Sequence, residues 1–542
     1  MRNMHKYFLS ALFIFFIFSG CDTDELQDLN INPQAVNEID LNFMFSAAEL
    51  SMASGGFSGD NRFIDWRTNI GLCGGAIQQL TTSGSISSNG NYYRHNFETA
   101  YAPWSFGYED ILKQCEEIIN QTSEGGFSEG KHANMVAATH IIRVWQFQRL
   151  TDFYGNIPFT EANKGLEGNF FPAYDNQEDI YPALFTELAS AISALNASNP
   201  DDGFSSSDMI FQGDVEKWRR FGNTLMLRMA MRVSNVAPGL ADQYVTQAMQ
   251  NGGPMQSNDD NVWIPMAVGP SEWTNQNGIS RAFYPGDGGN QSTLGQPLVD
   301  FLKGADPNST ADDDPRLMIY TAGKFDWTAN DVTIIDDDPL NQKGAPPGYY
   351  QDEIEVDYGY QFIWDREFSR INYLLLDDDD PYRIMTHSEA AFLMAEALER
   401  GIGSGIPGTA EEHYNAGVRS AMQMWTPYDA SLEVSDAEVD AYLAQYPYGG
   451  GGVTGSESNL EQIGWQFWAA QYLYWYEAWT NWIRSAYPPL VQYTSDQGNV
   501  TGGIIPRRLQ YPDTEIAINT NFNQASDNNY TSKVWWDVNP DN

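Results

Sequence analysis

The sequence predicts a mainly α-helical protein, built of helix-turn-helix pairs of the tetratricopeptide type that carry long polar loops. Three observations predict it. Apolar residues recur at helical spacing over six segments, neighbouring segments come in pairs, and stretches rich in Gly, Asn, Asp and Ser separate them. No fixed period of about 34 residues accompanies the pairing.

The chain opens on Arg2, His5 and Lys6, then a dense apolar run from Tyr7 to Phe18, then Ser19, Gly20 and Cys21. A charged start, an apolar run shorter than the ~20 residues a bilayer span needs, and small residues at the cut describe a signal peptide over 1–20. A cysteine directly after the small residues predicts lipidation at Cys21, and several acyl chains make a stable anchor. Asp22, Asp24, Glu25 and Asp28 make 21–40 an acidic, lipidated tether. No composition shift divides the remainder, so 41–542 reads as one domain.

In that domain Ile180, Leu184, Leu188, Ile192 and Leu195 place a stripe on one helix face after acidic Glu178 and Asp179. Similar helices are expected at about 131–150, 214–234, 386–400, 409–425 and 459–486. The pairs are 131–150 with 180–195 and 386–400 with 409–425. Polar loops fill 251–300, 303–365 and 426–458, and loops of that length in compact proteins usually serve function.

The formal net charge is −43, which excludes ordinary nucleic-acid binding and disfavours polyanionic ligands. An acidic surface with 14% aromatic residues suits neutral, hydroxyl-rich ligands, and adaptation to salt explains the charge equally well. Besides Cys21 only Cys73 and Cys115 occur, so there is no disulfide scaffold and no zinc-type spacing, and whether these two pair stays open.

Near-matches to catalytic motifs fail in their context. Gly403, Gly405 and Gly408 match dinucleotide spacing but follow a helix rather than a strand. Gly125, Gly130 and Lys131 imitate a P-loop, with His132 where Ser or Thr is needed. The acidic runs Asp312–Asp314, Asp336–Asp338 and Asp377–Asp380 each precede a proline and read as exposed turns. Spacing cannot show any pair flanking one glycosidic bond. None carries the alternating pattern of a calcium loop, so no cofactor is expected, with structural calcium left as an alternative.

The aromatic residues are the positive signal. Trp and Tyr faces stack on the C–H faces of sugar rings while their polar edges reach hydroxyls. Trp66, Trp273, Tyr284, Trp327, Tyr349, Tyr350 and Trp364 lie in loop segments, and Trp66, Trp273, Tyr284 and Trp364 are the expected ligand contacts. Trp145, Trp218, Trp425, Trp465, Trp468, Trp475, Trp479 and Trp482 lie on helices and read as core.

Ordered motifs then carry a family resemblance over nearly the whole mature chain. They are Leu29-Asn-Ile-Asn-Pro33, LTDFYGNIPFTEA over 150–162, QGDVEKWRRFGNTLMLRMAMR over 212–232, DDDPRL over 312–317, THSEAAFLMAEALER over 386–400 and IIPRRLQYPDTEIAINTN over 504–521. The chain resembles the SusD/RagB family of nutrient-binding outer-membrane lipoproteins, and its second SusD-like subgroup most. Gly222 stands where the family usually has Ala. The resemblance implies tetratricopeptide-like helix pairs packed against a loop-rich, irregular half with a few short strands, with ligand-facing loops near 55–105 and 251–365. It implies a lid over a SusC-like TonB-dependent transporter, facing the cell exterior, that captures oligosaccharides, on the charge argument neutral ones, and performs no chemistry. A lid for peptides or another nutrient is the alternative, and a glycoside hydrolase a more distant one. Glu389 and Glu396 are expected to pair with arginines, with Arg507 and Arg508 as candidates.

Overall fold

Within a computed structural model the described residues are 40–53, 62–81, 86–269, 275–285, 292–358, 367–493, 497–522 and 528–540. The described residues from Asn42 onward belong to one compact unit. Helices dominate. They are α1 Leu41–Met52, α2 Phe97–Ser105, α3 Lys113–Thr122, α4 Ala133–Tyr154, α5 Gln177–Ala194 and α6 Val215–Arg232. Then come α7 Pro238–Gln250, α8 His387–Arg400, α9 Ala410–Gln423, α10 Asp436–Gln445, α11 Asn459–Ala470 and α12 Trp475–Ser485.

Local chemistry sets the ends. Asp214 accepts from the Glu216 and Lys217 amides to start α6, and Thr386 accepts from the Glu389 amide to start α8. Thr409 with Glu412, and Ser435 with Glu438, form reciprocal capping boxes at α9 and α10. Gly155 and Gly401, with φ of 79° and 67°, end α4 and α8 where a left-handed residue is required.

The two expected helix pairs form, α4 on α5 and α8 on α9, and α6 packs on α7, a helix that the spacing did not predict. Small residues set their approach. A Cβ on Gly222 would lie 2.7 Å from Ile192 Cγ1, and one on Gly417 2.6 Å from Phe392 Cε1. The Gly222 departure from the family pattern therefore lets α5 close on α6. Phe185 of α5 stacks on Tyr244 of α7 at 4.0 Å and 7°, joining one pair to the next.

Of the eight tryptophans expected on helices seven are fully buried, Trp425 among them although it lies just past the end of α9, and Trp465 is half-buried, stacked on Phe301 at 5.0 Å. Charged residues join the helices at the centre. Arg228 of α6 grips Glu389 of α8 with two hydrogen bonds of 2.5 and 2.7 Å. Arg232 of α6 reaches Asp152 of α4 at 3.0 Å and Glu477 of α12 at 2.6 Å. Arg484 of α12 clasps Glu396 of α8 at 2.7 and 2.6 Å. These, rather than Arg507 and Arg508, are the partners of Glu389 and Glu396. Arg507 is held by Asp537, and Arg508 donates to the Leu509 and Tyr154 carbonyls.

The other half is irregular, with three two-stranded antiparallel pairs. β1 Leu80–Thr81 joins β3 Thr293–Leu294, β2 Val262–Ile264 joins β6 Tyr382–Met385, and β4 Lys324–Thr328 forms a hairpin with β5 Asp331–Asp336. The expected 459–486 helix is two helices, α11 and α12, because Leu473 takes a φ of 71° between them. The acidic runs are not all exposed turns. Asp314 is buried and bonds the Arg316 guanidinium at 2.9 and 2.6 Å, and Asp380 is 4% exposed. Cys73 and Cys115 are buried and unbridged.

Two stretches wind as π-helices, Asp65–Gly74 and Phe106–Leu112, the second joining α2 to α3. Such windings are rare and concentrate at functional sites. Asp65–Gly74 packs backbone to backbone on the short helix Ser88–Tyr92: a Cβ on Gly90 would lie 2.0 Å from the Leu72 carbonyl oxygen. Gly90→Ala is therefore expected to cost roughly 1–3 kcal/mol through overpacking. An unchanged urea midpoint would contradict that close approach.

Candidate functional site

The loop aromatics are placed by the irregular half. Trp66 sits in the first turn of the π-helical stretch, half-buried. The guanidinium of Arg62 lies 4.5 Å from its ring centroid and that of Arg67 5.0 Å. Cations over an indole face hold the ring in place and add donors beside it. The i to i+5 winding brings residue 71 against the Trp66 carbonyl, where a Cβ would come within 2.5 Å, and residue 71 is glycine.

The short helix Gly278–Phe283 packs against the same π-helical stretch and ends at Tyr284. Asn277 caps it, accepting from the Ile279 and Ser280 amides. The Asp377–Asp380 run anchors it: the Asn277 amide donates to the Asp378 carbonyl at 2.7 Å and its side chain to the Asp380 carbonyl at 3.0 Å. Tyr284 then meets Trp327 of β4 edge to face, at 6.5 Å and 87°. Its hydroxyl donates to the Ala329 carbonyl in the hairpin turn at 3.4 Å, and the Arg281 guanidinium sits 5.4 Å over its ring. Both rings are half-buried, so each keeps an open part.

The structure thus brings Tyr284 to Trp327 and sets Trp66 on an adjoining element. Trp273, Trp364 and Cys21 lie outside the described residues. Tyr349 and Tyr350 are half-buried as well but meet other neighbours: Tyr349 packs on Ala345, Ile354 and Phe368, and Tyr350 meets Tyr92 at 6.5 Å. The arginines beside the rings were not foreseen, although Arg62 and Arg67 flank Trp66 at one-turn and adjacent spacing. Among the described residues no group of three His, Cys, Asp or Glu side chains is placed to hold a metal ion. None of the described helices is long and apolar enough to cross a membrane.

Asp65, next to Trp66, is wholly buried. Its Oδ1 accepts from Tyr382 at 2.8 Å and Asn69 at 3.0 Å, while Oδ2 has no hydrogen-bond partner. Burial pushes its carboxyl up to about 7. The folded state then holds a proton that the unfolded chain has released, so this contribution is full below about pH 4 and lost as pH rises through 7. Stability is expected to fall between about pH 4 and pH 7 and to level off above that. Asp65→Asn, which keeps Oδ1 and adds no charge, is expected to flatten the urea midpoint over that range by up to about 4 kcal/mol. An identical pH slope in both proteins would refute it.

Comparison with known proteins places this arrangement in a family. The model of a SusD-like family, described as starch-binding associating with outer membrane, matches residues 33–512. A chitin-binding protein is 31% identical, with a TM-score of 0.76 over 92% of this chain and all of its own. A SusD-like protein of Bacteroidetes AC2a is 26% identical, with a TM-score of 0.77 over 92% of this chain and all of its own. A chitin-binding SusD homolog from Flavobacterium johnsoniae, 23% identical, shares the fold at a TM-score of 0.69 over 92% of this chain and 99% of its own. No match to a curated protein was found. The family match over residues 33–512, together with the 31%-identical relative and the tetratricopeptide-like helix pairs, makes this chain a member of the SusD-like family.

Proposed function

We propose that the protein is a glycan-binding lipoprotein, anchored through Cys21 in the outer membrane and facing the exterior, that captures an oligosaccharide and closes as a lid over a SusC-like TonB-dependent transporter. The observation that carries the binding step is the set of half-open rings, Trp66, Tyr284 and Trp327, each beside an arginine or another ring on loop-borne elements. Aromatic faces supply the stacking surface and guanidinium groups supply donors to hydroxyl oxygens. In this reading the chain holds its ligand without cleaving it. The names of the family and of the 31%-identical relative make starch-like and chitin-like chains the first ligands to test. A net charge of −43 favours neutral members over acidic ones.

Affinity electrophoresis through gels holding starch, glycol chitin, mannan, pectin or alginate tests the reading. Retardation by at least one neutral polysaccharide and none by the acidic ones is expected. No retardation by any of the five, with calorimetric binding of peptides, would move the ligand class to peptides.

A further inference from the structure

A cleft of about 760 Å³ opens away from those rings: none of Trp66, Tyr284 and Trp327 lines it. Its volume falls within the roughly 300–1,000 Å³ of ligand clefts. The second π-helical stretch builds one wall. Gly107 lets that stretch sit against α4, where a Cβ would come 2.4 Å from Gln146 Nε2, and the Tyr108 hydroxyl donates to the Pro158 carbonyl at 2.6 Å. So seated, the stretch and the start of α3 contribute Glu109, Asp110 and Lys113 to the cleft. Trp104 and Tyr108 contribute ring surface, and Phe170, 71% exposed, stands on the facing loop with Lys164.

The charged groups divide into two kinds. Glu161 and Glu515 are committed to the scaffold. Glu161 accepts from the Ala173 amide at 2.8 Å and Asn169 at 3.0 Å, and Glu515 accepts from Tyr174 at 2.9 Å. The side chains of Glu109, Asp110, Lys113 and Lys164 make no hydrogen bond and no ion pair among the described residues. Asp110 is half removed from water, and burial together with Glu109 pushes its carboxyl up to about 6. The Lys113 charge draws it partly back down, but no hydrogen bond among the described residues holds the carboxyl, so it is open to bond a ligand in the cleft. The uncommitted charges cancel in pairs and offer both acceptors and donors around aromatic faces. A carboxylated ligand would meet Glu109 and Asp110, and a cationic one would meet the two lysines. A neutral ring whose hydroxyls both donate and accept, with an apolar C–H face, satisfies all of them.

We propose that this cleft is a second saccharide site, taking a neutral pyranose unit, with Asp110 and Lys113 bonding hydroxyls and Phe170 stacking on the ring. It shares only the ligand class with the proposed function, and it gives the chain two points of attachment to a polymer, which raises avidity without new contacts at either.

Calorimetric titration with maltotetraose and chitotetraose tests it, in the wild-type protein, in Asp110→Asn/Lys113→Gln, in Phe170→Ser and in Trp66→Ala/Trp327→Ala. Two equivalents are expected on the wild type with one of the probes. Each cleft variant, with an unchanged urea midpoint, is expected to keep one equivalent and lose the other at least tenfold. The loop variant is expected to keep the cleft's equivalent. Two unchanged binding events in both cleft variants would overturn the second site and leave the loop reading standing. All binding lost in the cleft variants and none in the loop variant would support the cleft and sink the loop reading. No binding of either probe to the wild type would overturn both.

Discussion

Glu389→Ala is expected to lower the stability of the folded chain by roughly 3–5 kcal/mol, because it strips a buried guanidinium of its bidentate partner. Arg228 is 3% exposed and Glu389 fully buried, and among the described residues the only other carboxylate within ion-pair reach of Arg228 is Glu477, at 3.6 Å. Glu477 is already bound to Arg232, which also holds Asp152. The Gln471 amide loses its acceptor in the same change. Asp152 takes further hydrogen bonds from Tyr181 of α5 and from Trp536 near the C-terminus, at 2.5 and 2.9 Å. One hub therefore ties α4, α5, α6, α8 and α12 together, and removing a charge from it strands another. Arg228→Met/Glu389→Met removes both charges at similar volume and is expected to recover most of the loss. Urea unfolding followed by circular dichroism reads both. A loss below 1 kcal/mol in the alanine variant would contradict a closed ionic centre.

Trp66→Ala and Trp327→Ala are each expected to weaken glycan binding by about 2 kcal/mol, roughly thirtyfold, since tryptophans stacked in a site carry a disproportionate share of its energy. Trp66→Phe keeps a ring and is expected to lose less than tenfold. Trp327→Ala also removes the edge partner of Tyr284, so Tyr284→Ala added to it should cost less than Tyr284→Ala alone. Retardation on the polysaccharide gel measures these changes, and far-UV circular dichroism checks that the fold is retained. Wild-type mobility in both tryptophan variants would show that the rings are not the ligand surface.

Much of the scaffold was legible because regular helices leave a regular trace. The stripe over 180–195 corresponds to α5, Gln177–Ala194, and the 386–400 segment to α8, His387–Arg400. The run from Phe97 to Thr122 escaped because Pro103, Gly107 and the π-helical winding shift its apolar residues out of the 3.6-residue period. Around Leu473 the period is misleading in the opposite sense: Tyr472, Tyr474 and Trp475 are all buried, so apolar spacing runs on while the helix axis breaks. Ion pairs such as Arg228–Glu389 span 161 residues of sequence, and no local pattern selects one arginine over another as partner. Asp314 looked exposed beside Pro315, yet Arg316 turns back onto it and buries it. In the candidate site, Trp66 and Tyr284 could be named from exposure-prone segments. Their arginine neighbours and the Trp327 contact depend on how the hairpin and the 278–283 helix fold together, which spacing does not encode.

Under the proposed function this chain holds a neutral glycan and leaves it unchanged. An equilibrium titration of the mature protein with oligosaccharides of the polysaccharide that retards it most, followed by chromatography of the ligand recovered after overnight incubation, tests that claim most directly. The account predicts saturable binding and ligand recovered at its original length. Absence of saturable binding, or recovery of shortened chains, would contradict it.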